Sequence, residues 1–123
     1  MRSTIEQIEK ELSVDGFVMR YKTEHYEATH VDGLPPGEGA FLACSFWLVD
    51  NLLMLGRKED SRRLFEKLLN IRNDVGLLSE EYDLRTRRFA GNFPQAFSHV
   101  ALISSACNLC DKMHGPTEER NAA

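Results

Sequence analysis

Apolar residues along the chain fall into four helical segments of two kinds. The segments at 3–13 and 59–72 repeat apolar side chains at intervals of three and four residues, which places them on one face of a helix. The segments at 38–55 and 94–112 are apolar almost all round, and such a helix needs neighbours on every side. This alternation predicts an all-α fold of two layers, in which outer and inner helices follow each other.

The connections between these helices alternate in length as well. The turn at Gly56 joins an inner helix to an outer one and is very short. The two links from outer to inner helices, at 14–37 and 74–93, exceed the roughly 2–8 residues usual between packed helices. Residues 16–21 of the first link predict a short strand. Because both long links enter inner helices at the same end, stacked helical hairpins would bring them together, and we expect the functional site there.

Composition excludes several classes of function. The chain has 123 residues, the size of one domain or of part of one, and a net charge of −4 that argues against general nucleic-acid binding. No apolar run reaches the roughly 20 residues of a membrane span, so no membrane partner is predicted. The N-terminus reads directly as a helix without a signal-peptide core, and three cysteines show no disulfide framework. We therefore expect a cytoplasmic protein.

Two adjacent carboxylates, Glu80 and Glu81, lie in the second long link. On composition alone, a solvated acidic turn is the favoured interpretation. The link is too long for a simple connector, however, and it contains Leu78 and Phe89, which can anchor it to the body of the protein. It also leads directly into an inner helix. A carboxylate held in such a place can act as a general base on water.

Two further positions are candidates for binding a ligand. Glu38 opens the first inner helix, where a negative charge is stabilised by about 0.3–1 kcal/mol, so its role is either structural or ligand contact. Arg20, next to Tyr21, is either a surface arginine or a fork of donors aimed at sugar hydroxyls.

Other reactive side chains fit a structural role better. Cys107 and Cys110, near His114, are three positions apart on a helix and read as core thiols, because a fourth zinc ligand is not evident. His99 has no convincing partner for a nucleophilic triad. Trp47 is expected in the core. We predict neither a metal nor a cofactor.

Three segments, at 37–50, 77–83 and 91–103, resemble glycoside hydrolase family 15, which contains the glucoamylases and bacterial trehalase-like enzymes. The resemblance implies a six-hairpin α/α barrel with its active site at one end, lined by the outer-to-inner links. Only part of that barrel matches this chain. We therefore predict a C-terminal segment of such a catalytic domain at 1–114, followed by a flexible tail at 115–123.

The resemblance also implies a reaction and residues for it. Family members invert configuration at an α-glucosidic bond, using one carboxylic acid for the leaving oxygen and one carboxylate to activate water. The family's base lies in a Ser-Glu-(Glu/Gln)-Tyr-Asp segment and falls on Glu80, with Glu81 as the runner-up. An arginine that contacts glucose falls on Arg20, beside Tyr21, and Glu38 lies at the same mouth. The implied substrate is an oligosaccharide or trehalose.

The chain departs from the family pattern in three ways. No residue matches the general acid, which lies in an earlier segment of the family. Leu84 stands where proline is common and Arg87 where glycine is common, so we expect a different shape of the base loop. Met1 falls inside a continuous region of the family, which leaves open a truncated reading frame, a pseudogene remnant, an expressed fragment or a complete protein, and we expect the chain to be inactive alone. The alternative is a non-catalytic helical module whose inner helices pair with another chain, for example as a homo-oligomer.

Overall fold

The computed structural model describes residues 2–21 and 39–110. The elements in chain order are α1 (Arg2–Glu11), β1 (Ser13–Val14), β2 (Phe17–Val18), β3 (Ala40–Phe41), α2 (Leu42–Met54), α3 (Lys58–Leu69), β4 (Glu81–Asp83), β5 (Arg88–Ala90) and α4 (Ala96–Leu109). About half of the described residues are helical, and the four predicted helices are confirmed with bounds that differ by a few residues. No helix in this described part is long and apolar enough to cross a membrane.

The all-α expectation needs a correction, because both long links contain strands. In the first link, β1 and β2 form an antiparallel hairpin that pairs Ser13 with Val18. In the second, β4 pairs with β5 and also with β3, which gives a three-stranded antiparallel sheet. A long segment that lies against a buried helix must pair its backbone N–H and C=O groups, and short strands do so.

Helix α2 is the centre of the core. Leu42, Phe46 and Val49 are fully buried along it. It packs between α3 and α4, and Leu68 of α3 and Ala101 of α4 belong to the same buried cluster. An inner helix that is apolar all round therefore has packed neighbours, as its sequence predicts.

Glycine ends α2 and turns the chain back into α3. Gly56 has a φ of +78°, a left-handed conformation that favours glycine. Its N–H donates to Leu53 O and the N–H of Arg57 donates to Leu52 O, both at 2.9 Å. This pair of bonds is the Schellman motif, which satisfies carbonyls at the helix end. The short link therefore makes α2 and α3 a tight hairpin.

Buried serines connect α2 to its neighbours. Ser61 of α3 donates its hydroxyl to Val49 O at 2.8 Å, and Ser105 of α4 donates to Phe46 O at 3.1 Å. Ser45 of α2 accepts a backbone N–H from β2 at 2.9 Å. A small side chain with one donor allows two backbones to approach closely while its own polar group stays satisfied.

Helix α4 is only partly covered, which differs from the expectation for an inner helix. Its buried residues are small, namely Ser98, Ala101 and Ser105, and Ser105 contacts α2 through Phe46 O. The opposite side exposes large apolar side chains, and Trp47 of α2, expected in the core, is also 43% exposed. The exposed residues around this side of α4 are Trp47, Phe93, Phe97, Val100 and Ile103.

Candidate active site

The two long links meet where α2 begins. Strand β3 pairs with β4 so that Phe41 lies opposite Glu81, and the N–H of Leu42 donates to Glu80 O at 3.1 Å. From the first link, the guanidinium of Arg20 lies 3.2 Å from the Glu81 carboxylate. For the described residues of both links, the prediction that they gather on one face is therefore confirmed, and the adjacent carboxylates lie at this face.

Gly39 allows the close approach of the two strands. A Cβ at this position would lie 2.7 Å from the carbonyl oxygen of Tyr82, a distance that no side chain tolerates against backbone. The absence of a side chain lets the N–H of Gly39 reach Glu81 Oε2 at 3.1 Å. Glycine before β3 is thus required by the geometry of the site.

Glu81 is buried and both of its carboxylate oxygens have protein donors. Its side chain is 10% exposed, with Oε1 3.2 Å from Arg20 Nη2 and Oε2 bound to the N–H of Gly39. The Arg20 guanidinium also lies 4.8 Å from the centre of the Phe41 ring, within cation–π range. Glu81 therefore suits the placing of Arg20 better than the activation of a water molecule.

Glu80 extends to a different partner. Its Oε2 accepts the backbone N–H of Asn92 at 3.1 Å and the side-chain amide of Asn92 at 3.0 Å. Its own N–H donates to Asn92 O at 2.9 Å. Glu80 directly precedes β4 and Glu81 is its first residue, and the two carboxylates contact different parts of the protein. Glu80 is partly exposed, so water can reach this side chain.

Helix α4 anchors the segment that carries both carboxylates. The N–H of Leu78 donates to His99 Nε2 at 3.3 Å, and His99 Nδ1 lies 2.7 Å from Gln95 O. With Nε2 accepting, the ring proton is on Nδ1 and donates to that carbonyl. Ser98 donates its hydroxyl to Ser79 O at 2.7 Å. His99, a weak candidate for a nucleophilic triad, thus fixes the position of the loop.

The turn between β4 and β5 is closed by Asp83. Its Oδ2 accepts the Thr86 hydroxyl at 2.8 Å, and its Oδ1 accepts the backbone N–H groups of Arg85 and Thr86. These hydrogen bonds, the Thr86 hydroxyl first, lower the pKa of Asp83. Leu84 and Arg87, where the chain departs from the family pattern, lie in this turn, and Arg87 has a φ of +55°. In spite of these two departures, the hydrogen bonds of Asp83 close the turn.

The structure brings some of the predicted site residues together and reveals one that was missed. Arg20 contacts the runner-up carboxylate Glu81. Tyr21 is partly buried beside Arg20, and Glu38 lies outside the described residues. Asn92 was not predicted, although it belongs to the segment at 91–103 that carries the family resemblance. Its only signal was its position after a glycine in a link too long for a connector.

No metal site is found in the part of the chain that the structure describes. Within residues 2–21 and 39–110, no three His, Cys, Asp or Glu side chains are grouped closely enough to hold an ion. Cys44, Cys107 and Cys110 are free thiols, and His114 lies outside the described ranges. Burial raises the pKa of the Cys44 thiol, against a smaller lowering by Arg20.

Comparison with known proteins identifies the family that this chain resembles. The model of glycosyl hydrolases family 15 matches residues 1–107. The trehalase of Mycolicibacterium smegmatis is 42% identical over 109 residues, which are 89% of this chain and 16% of that protein. The trehalase of Thermoplasma volcanium is 38% identical over 120 residues, 97% of this chain and 18% of that protein. The chain thus spans about one-sixth of the length of these relatives. No solved structure gives a significant match.

Proposed function

Because the chain belongs to glycosyl hydrolase family 15, we propose that it carries the water-activating half of an active site for inverting hydrolysis of an α-glucosidic bond. The observation that carries the proposal is the placement of Glu80. Its carboxylate is partly exposed at the face where both long links meet, and Asn92 holds one of its oxygens. In an inverting glycosidase a carboxylate in such a position removes a proton from the attacking water.

The other predicted residues take supporting roles in this proposal. Arg20, held by Glu81, presents guanidinium donors to sugar hydroxyls, and Tyr21 and Glu38 line the same sugar site. A planar fork of donors suits adjacent hydroxyls better than a point charge does. The distance from Glu80 to the leaving-group acid would be about 6.5–9.5 Å, which leaves room for the water.

We infer that the substrate is an α-glucoside, with trehalose as the first to test, since the relatives at about 40% identity are named trehalases. We also infer that residues 1–114 form two outer-and-inner hairpins of a six-hairpin α/α barrel, in cytoplasmic carbohydrate metabolism. The order of amphipathic α1, central α2, amphipathic α3 and apolar α4 supports this architecture.

The isolated chain is expected to be inactive. No residue matches the family's general acid, and one such group typically contributes about 10²–10⁴-fold to the rate. Groups that orient the sugar from elsewhere in the domain would be missing as well. Purified chain should therefore release no glucose from trehalose, maltose or soluble starch. Steady release that Glu80→Gln abolishes would show that this chain supplies an acid as well.

The test of the base is a chimera in which this chain replaces the matching segment of the Mycolicibacterium smegmatis trehalase. Glu80→Gln should lower kcat on trehalose by at least about 100-fold, with far-UV circular dichroism unchanged. Glu81→Gln is the matched variant, and its main effect should be on KM, through Arg20. A near-normal kcat for Glu80→Gln, with a large loss for Glu81→Gln, would assign the base to Glu81.

One observation favours a second function, that of a non-catalytic assembly module. The uncovered side of α4 exposes Val100 by 62% and Ile103 by 59%, and contiguous apolar surface of this kind marks interaction sites. In this alternative the side pairs with another polypeptide or with a second copy of the chain. Sedimentation analysis should then show a dimer or larger species that Val100→Glu dissociates. A monomer at all concentrations would contradict it.

A further inference from the structure

Asn92 and Glu80 share three hydrogen bonds. No other described residue makes as many hydrogen bonds with Glu80. The backbone N–H and the side-chain amide of Asn92 both donate to Glu80 Oε2, at 3.1 and 3.0 Å. In the other direction, the N–H of Glu80 donates to Asn92 O at 2.9 Å. The two residues are therefore fixed to each other through backbone and side chain alike.

The residue before Asn92 is shaped for this contact. Gly91 has a φ of +69°, and a Cβ there would lie 2.9 Å from Glu80 Oε2 and 3.0 Å from Glu80 Cβ. Only glycine combines that left-handed conformation with so close an approach. The pairing of Glu81 with Ala90 at the end of β5 delivers Gly91 and Asn92 to the side of Glu80.

The two donations differ from ordinary loop contacts because they end on one oxygen of a carboxylate. Hydrogen bonds to a charged acceptor are stronger than neutral ones and define its direction. With Oε2 engaged twice, the carboxylate is held against rotation about its last bond. Oε1 is then the oxygen that Asn92 leaves for a water molecule.

We propose that Asn92 is the positioning residue of the Glu80 base, which orients the carboxylate so that Oε1 faces the attacking water. The inference rests on the proposed function and adds to it a residue that touches no reacting atom. Asn92 should affect only the transition state, because a misplaced base slows the removal of the proton from water. Substrate binding in the ground state does not depend on it, so kcat should change and KM should not.

Three variants of the trehalase chimera separate this role from a structural one. Asn92→Ala removes the side-chain donor, and kcat should fall about 10–100-fold, the range for a hydrogen bond to a charged group. Asn92→Asp keeps the shape but replaces the donor by a second negative charge, so its kcat should fall further than that of Asn92→Ala. Gly91→Ala should also lower kcat, because its Cβ displaces Glu80. In each variant KM should stay within about twofold of the parent.

A matched control removes an equivalent contact elsewhere. Asn108 donates its side-chain amide to Asp50 at 3.1 Å, between α4 and α2, so Asn108→Ala also deletes an amide–carboxylate bond. It should lower thermal stability while kcat stays within about twofold. If only stability matters at Asn92, Asn92→Ala should lower thermal stability as Asn108→Ala does while kcat stays within about twofold, and this result would overturn the proposal.

Two further readouts distinguish failure of the inference from failure of the proposed function. If Glu80→Gln lowers kcat and Asn92→Ala does not, Asn92 has no positioning role while Glu80 remains the base. If Glu80→Gln leaves kcat intact, the assignment of the base is itself wrong. In the 123-residue chain, ¹⁵N spectra should show the Asn92 side-chain NH₂ signals moving on Glu80→Ala, with those of Asn108 unmoved. Unmoved Asn92 signals would overturn the contact and the proposal with it.

Discussion

Truncation of Glu81 should destabilise the chain much more than a conservative change at Glu80. Glu81→Ala removes the only described acceptor of the buried Gly39 N–H, and it also takes away the carboxylate that pairs with Arg20. Glu80→Gln keeps an oxygen that can accept from Asn92, on a side chain that already meets solvent. Adjacent glutamates are therefore expected to differ in what they stabilise.

The magnitude follows from the burial of the groups left behind. A buried donor without its acceptor costs about 1–3 kcal/mol. Loss of one partner of a fully buried ion pair costs about 3–5 kcal/mol, but the Arg20 side chain is 41% exposed and can regain water. The free energy of unfolding should thus fall by about 2–3 kcal/mol for Glu81→Ala. For Glu80→Gln the free energy of unfolding should fall by about 1 kcal/mol or less, because the amide oxygen still accepts from Asn92.

Urea unfolding of the 123-residue chain, followed by far-UV circular dichroism, measures both values. With a slope of about 1.5 kcal/mol/M, a loss of about 2–3 kcal/mol lowers the midpoint by roughly 1.3–2 M. Glu81→Gln should fall between, because an amide oxygen can still accept from Gly39. The reasoning is refuted if Glu80→Gln is at least as destabilising as Glu81→Ala, since Glu80 would then be the structural carboxylate.

Three other changes test the scaffold, each by urea unfolding. Ser105→Ala removes the hydroxyl bonded to Phe46 O between α4 and α2, and should cost about 1 kcal/mol; no loss would mean that this bond adds nothing to helix packing. Gly56→Ala should cost about 1 kcal/mol through its φ of +78° alone, because open space surrounds the site for a Cβ; a gain in stability would contradict the strain argument. Burial raises the pKa of Asp50, against hydrogen bonds from Asn108 and Ser105, so the folded chain binds this proton more tightly than the unfolded chain. The contribution of Asp50 to the free energy of unfolding therefore falls as pH rises above the usual aspartate range. Asp50→Asn should be more stable than the parent at pH 7, with a gain that shrinks towards pH 4, and an equal gain at both pH values would rule out titration of Asp50 as the cause.

The helices could be predicted from the sequence because each has a local cause. The apolar repeat of α3 and the nearly continuous apolar surface of α2 are properties of single segments, and Gly56 marks the end of one by its own conformation. The meeting of the two long links also followed from local information, since both enter inner helices at the same end. The contact between Arg20 of the first link and Glu81 of the second confirms it.

The strands and the surface of α4 depend on contacts distant in the sequence. Strand β3 has two residues, too few to show an alternating pattern, and its existence depends on the pairing of Phe41 with Glu81. Likewise, the apolar sequence of α4 predicts that the helix packs against other elements, but it does not identify them. Trp47 belongs to the same case: it packs edge-on against Phe97 of α4 with ring centres 5.5 Å apart, in a contact that stays open to solvent.

The separate roles of Glu80 and Glu81 depend on strand register, which two adjacent, chemically identical side chains cannot reveal. A shift of the strand by one residue would move both glutamates out of their present surroundings. The observed register, with Phe41 opposite Glu81 and Ala90 opposite Glu81 on the other edge, directs Glu81 to the Arg20 side and Glu80 to the Asn92 side. Gly39 and Gly91 are the two close approaches that this register requires, one against each side.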